Sequence, residues 1–129
     1  MSHAKSTRTQ VERGEERKRY QTFRHATTFS NYVTIAVDGI QIGASNGTSG
    51  RKAIWLHRPD KTPWAILHTM QRHGVNLDSI IVLELKLDRD KVKHHGQGLW
   101  YYSEDISPSA IRGVHRGTDI ARHTPVEQE

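Results

Sequence analysis

At 129 residues, with 34% hydrophobic and 26% charged side chains, the chain is sized for one domain with a single modest core. It has no cysteine, which excludes disulfides, thiolate metal centres and cysteine nucleophiles, and no apolar run approaches the ~18 residues of a membrane span, so a soluble cytoplasmic protein that makes no use of a membrane is expected. A net charge of +5 and a pI near 9.7 point to a polyanionic partner, nucleic acid or a phosphorylated cofactor, against the plainer alternative of a solvated basic surface.

Residues 1–19 are basic, carry almost no large apolar side chain and read as a flexible arm. A short β-prone run over 20–24 ends in Phe23-Arg24-His25-Ala26-Thr27-Thr28. Phe29, Tyr32, Val33, Ala36 and Val37 then recur at helical spacing, with Thr28 or Ser30 as N-cap and Gly39 as the stop. The Gly- and Ser-rich stretch 43–50 is a loop by composition. Ala53-Ile54-Trp55-Leu56 marks a short buried strand within 52–57. Residues 63–73 predict a helix opened by Pro63, capped by Thr62 or Asp60 and ended by Gly74, with Trp64, Ile66, Leu67 and Met70 on its buried side.

The clearest strand is 79–88, continuously apolar at first and then alternating, with Leu83, Leu85 and Leu87 on one face and Glu84 and Lys86 on the other. Lys86, Arg89, Lys91 and Lys93 form a basic run behind it, suited to phosphate contacts or simply solvated. Residues 99–103 predict an aromatic strand, with Trp100 and Tyr102 assigned to the core and Tyr101 open to either face. Ile106-Ser107-Pro108-Ser109-Ala110-Ile111 reads as a turn into a last short strand, and 113–129 as a flexible tail. The sum is an α+β domain over 20–112, with few short helices and a bent, mostly antiparallel sheet.

The nine histidines invite a metal, but their spacing does not support one. His68 and His73 miss the i, i+4 pattern, adjacent His94 and His95 point apart in a strand, and there is no His-Glu-x-x-His. The glycines of 43–50 fit neither Gly-rich phosphate signature, although Arg51 just after them has the guanidinium fork that holds phosphate. His25, His57 and Arg51 supply the residue types of a basic nuclease, without a spacing that favours that chemistry.

In order and spacing these segments resemble the ADP-ribosyltransferase fold, in particular the compact group that includes the RNA 2'-phosphotransferases and the DarT-like DNA-modifying toxins. Arg24-His25-Ala26-Thr27-Thr28 and Asp38-Gly39-Ile40 look like that group's strand-end His-x-Thr motif and the glycine after its short helix. Ala53-Ile54-Trp55-Leu56-His57 is similar to its second strand, and Leu99-Trp100-Tyr101-Tyr102 with Ile106 to Ile111 is similar to its aromatic strand and Pro-containing turn. The resemblance covers 20–112.

It implies a split sheet with NAD or an ADP-ribosyl group in the cleft. His25 would hydrogen-bond the nicotinamide-side ribose, with Thr27 positioning it. Arg24 and Arg51 partly match the phosphotransferases' Arg-His-Arg-Arg set, Arg51 meeting the pyrophosphate, and Trp55 and His57 would line the cleft. Where many such transferases carry a Glu before the aromatic strand, this chain has Gln97, expected near the anomeric carbon but without the charge that offsets a developing sugar cation. The implied function is transfer of ADP-ribose from NAD to a nucleic acid or protein. The alternative is an inactive copy of the fold that binds a nucleic acid or an acidic protein through its basic arm and the Lys86 to Lys93 patch.

Overall fold

The structure, a computed structural model, describes residues 19–42 and 53–123. Expectations for residues 1–18, for the loop 43–52 with Arg51, and for 124–129 lie outside the described residues. The elements run β1 (Tyr20–Thr28), α1 (Phe29–Asp38), β2 (Ile54–His57), α2 (Thr62–His73), β3 (Ile80–Asp88), β4 (Val92–Gly96), β5 (Leu99–Tyr102), β6 (Ile111–Arg116) and α3 (Gly117–His123). The six strands form one sheet in the order β4-β5-β2-β1-β3-β6, with every pairing antiparallel. The expected α+β architecture is therefore the observed one. Among the described residues no helix is long and apolar enough to cross a membrane.

The core follows from the pattern of β3. Ile80, Ile81, Val82 and Leu83 are all buried because helices cover both faces there, and beyond them the strand alternates down to Leu87. One face carries the main core of Phe23, Ile54, Leu56, Leu83, Leu85 and Tyr102, closed by Ile35 of α1. The other carries a smaller cluster of Ile66, Ile80 and Val82, joined by Ala26 and by Ile120 of α3. Trp100 packs on the main core, edge-on to Phe23 with ring centroids 5.3 Å apart, as expected for it and for Tyr102.

The helix boundaries follow local chemistry. Thr28 Oγ1 accepts the Asn31 N–H at 3.2 Å, which makes Thr28 the N-cap of α1. Gly39 ends the helix at φ 78°, where an added Cβ would overlap the Ile106 carbonyl to which the Ile40 N–H donates. Gly74 ends α2 in the left-handed conformation.

Four expectations are corrected. The cap of α2 is neither Thr62 nor Asp60: Lys61 holds the N-cap position without a side-chain bond, because the Thr62 hydroxyl donates to the Pro59 carbonyl at 2.8 Å. The buried side of α2 runs through Thr62, Ala65, Ile66 and Thr69, leaving Trp64 48% and Leu67 53% exposed; the small Ala65 and Thr69 seat the helix close to the sheet. The stretch from Gly113 to His123, expected to be a tail, is the rest of β6 and α3, and β6 pairs with β3 from Ile111 to Arg116. The basic run contains a strand: Lys93 lies in β4, which pairs with β5 as the polar edge of the sheet.

Candidate functional site

The two sides of β1 differ. All nine of its residues have Cα partners on β3, from Tyr20 opposite Asp88 to Thr28 opposite Ile80. On the β2 side only Arg24 and His57 pair. Beyond that pair the imidazole of His25 takes the place of the ladder, with Nδ1 2.7 Å from the carbonyl of Trp55. The strands part there, and a cleft of about 680 Å³ opens, a volume usual for small-molecule sites.

The walls of the cleft come from both faces of the sheet. His25 and Thr27 of β1 and Trp55 and His57 of β2 stand at the opening. Asn31, Thr34 and Ile35 of α1 line it on one side. Trp64, His68 and Arg72 of α2 line it on the other, because α2 carries the chain from β2 across β1 to β3 and so passes over the gap. His95 and Leu99 of the β4–β5 hairpin complete it. Among the described residues no aspartate or glutamate lines it. Among the described residues no three His, Asp or Glu side chains converge as metal ligands.

A carbonyl oxygen can only accept, so His25 Nδ1 carries the hydrogen and Nε2 is the acceptor of a neutral ring. Burial of the ring lowers its pKa below the ordinary histidine value; the Trp55 bond opposes that shift and the charge of Arg72 reinforces it. No hydrogen bond from the described residues reaches His25 Nε2. His57 is 3% exposed and its pKa is pushed down to about 3, by burial first and then by His25 and Arg24. Its Nε2 is buried without a hydrogen-bond partner, which is rare for a polar atom in a folded protein.

Arg24 lies outside this group. Side chains alternate along a strand, so the neighbour of His25 projects to the opposite face. There Arg24 Nη1 donates to Thr62 Oγ1 at 2.9 Å and Nη2 donates to Glu84 Oε2 at 3.3 Å. Glu84 also accepts from His115 Nε2 at 3.0 Å, in the space left by Gly113, where a Cβ would come within 2.6 Å of Oε1. The His115 bond is the main reason that the Glu84 carboxyl titrates below its ordinary range, and Arg24 adds to it. This network ties β1, β3, β6 and the start of α2 together and holds Arg24 away from the cleft.

Gln97 is also away from the cleft. It occupies the tip of the β4–β5 hairpin at φ 56°, between Gly96 at 114° and Gly98 at 78°, and is exposed. The left-handed turn carries it away from the walls that His95 and Leu99 help form. Of the expected site residues, His25, Thr27, Trp55 and His57 come together, while Arg24 and Gln97 do not. Sequence reasoning missed Trp64, His68 and Arg72 as cleft residues. Their i, i+4, i+8 spacing beside the small Ala65 and Thr69 was the available signal.

Compared with models of known protein families and with curated proteins, the chain matches none.

Proposed function

We propose that the cleft binds NAD, presents the nicotinamide-side ribose to His25, and serves transfer of ADP-ribose to a macromolecular acceptor. The observation that carries this is the opening of the sheet at His25, a neutral imidazole of fixed tautomer whose Nε2 has no hydrogen-bond partner among the described residues. Such a nitrogen accepts a hydrogen bond from a ribose hydroxyl. The cleft suits the rest of the dinucleotide: the half-exposed indole of Trp64 for a base, and the guanidinium of Arg72 for a phosphate. In the transfer, an acceptor oxygen or nitrogen bonds to C1' of the ribose. The glycosidic bond breaks, its electron pair leaves with nicotinamide, and the acceptor's proton passes to solvent.

Among the described residues no carboxylate lines the cleft to offset the sugar cation, which supports a second function, binding without turnover. In that case the protein acts as a module that recognises nucleotide, with Lys86, Arg89 and Lys93 available to a polyanion. Lys91 is engaged with Glu104 at 3.6 Å.

Titration of NAD followed by NMR, with nicotinamide release followed by mass spectrometry, tests both. Binding with release, lost in His25→Ala, is the expected result. Binding without release selects the module. A His25→Ala protein with wild-type binding and release would sink both assignments.

A further inference from the structure

We propose that Trp64, His68 and Arg72 form a base-and-phosphate subsite along the α2 wall of the cleft, in which a planar heterocyclic base stacks on the Trp64 indole and its phosphate meets Arg72. The proposal rests on the cleft being a nucleotide site, and it assigns one wall of that site to a particular part of the ligand.

Trp64 is not a core residue. It is 48% exposed on a helix whose sheet-facing side is already filled by Ala65, Ile66 and Thr69. Burying a tryptophan is strongly favourable, so a half-exposed indole on a cleft wall is a place where a ring can still be covered. Its ring lies flat on His68, with centroids 5.1 Å apart and planes 8° from parallel. Among the described residues no second ring touches it, and its exposure leaves the stacked indole accessible to a further planar group.

The other two tryptophans are already engaged. Trp100 packs against Phe23 in the core, and Trp55 is held between His95 at 4.9 Å and Tyr101 at 5.6 Å. Two turns beyond Trp64 on the same side of α2, Arg72 lines the cleft, and its charge acts on the His25 ring. The wall thus presents an aromatic face and then a cation, the order in which a nucleotide presents its base and its phosphate. Base-on-aromatic stacking tolerates any base, so the base belongs either to the dinucleotide or to a single-stranded nucleic acid.

The test uses the full chain labelled with ¹⁵N, the three indole N–H signals being assigned with Trp→Phe variants. AMP, adenosine, inorganic phosphate, NAD and a short single-stranded DNA are titrated in turn. AMP is expected to move the Trp64 signal, and Trp64→Ala to weaken AMP binding about ten-fold or more while Trp64→Phe retains most of it. Arg72→Gln is expected to weaken AMP but not adenosine. A Trp64-dependent response to NAD but not to DNA assigns the base to the dinucleotide, and the reverse assigns it to a strand.

The subsite is overturned if AMP and DNA leave the Trp64 signal unmoved, if phosphate alone reproduces the response, or if Trp64→Ala binds as the wild type does. If NAD fails to bind while AMP or DNA still moves Trp64, the transferase assignment falls and the subsite stands. If NAD binds through His25 and Trp64→Ala does not matter, the subsite falls and the transferase assignment stands.

Discussion

On its β3 side β1 is paired along its whole length, and on its β2 side it is paired only at Arg24 and His57. The same nine residues therefore close a ladder that holds the domain and border the gap where the cleft opens. The paired side buries apolar side chains from both strands and satisfies its backbone groups within the sheet. On the open side, the imidazole of His25 takes up the Trp55 carbonyl, and the space beside it is left to the cleft. The proposed function thus separates stability from ligand recognition across the width of one strand, and substitutions on its two sides should have different consequences.

The largest contrast is between Leu83 and His25. Leu83, fully buried in β3, should lose about 2–5 kcal/mol of stability as Leu83→Ala. His25→Ala should lose about 1 kcal/mol or less, the net worth of one hydrogen bond, while NAD binding is lost. Urea melts of both variants check this, and a His25→Ala protein that unfolds would make the imidazole a structural pin instead.

Acidification probes the single pair where the two sides meet. His57 takes up a proton near pH 6.5 when unfolded but only near pH 3 when folded. Between those values the unfolded state binds the extra proton, so the contribution of His57 is complete above about pH 6.5 and falls by up to about 1.4 kcal/mol per pH unit below it. The depressed pKa of His25 acts in the same direction. Urea melts from pH 7.5 to 5 should show the loss, and His57→Leu should flatten it. An unchanged slope in that variant would rule out His57 as the source.

Across the ladder, Glu84→Gln removes the charge shared by Arg24 and His115 and should cost about 1–2 kcal/mol without affecting NAD affinity. Calorimetry and the NAD titration check both halves. The smallest effect is expected at the hairpin tip, where Gln97→Gly relieves a left-handed backbone and should stay within about 0.5 kcal/mol of the wild type with unchanged NAD affinity. A fall in affinity would return Gln97 to the site.

The parts legible in the sequence are those fixed over a few neighbouring residues. The apolar run of β3, the Thr28 cap, the glycine stops at Gly39 and Gly74, and the placement of His25 and Thr27 at a strand end follow from hydrophobic period, hydroxyl capping and positive φ. Less legible were segments whose structure depends on a distant partner. β4 and β6 are polar edge strands that exist because β5 and β3 offer them free backbone groups, and nothing in Lys93-His94-His95 or His115-Arg116 signals a strand locally.

The sequence by itself determined the class of fold and which residue types stand at the end of β1. Only the tertiary structure decided which way they face. Alternation turns Arg24 toward Glu84 and His25 toward the cleft, a left-handed hairpin removes Gln97, and small residues on α2 turn Trp64 outward. Strand and helix periods fix the relative directions of neighbouring side chains. Which direction is the interior depends on packing between elements far apart in the chain.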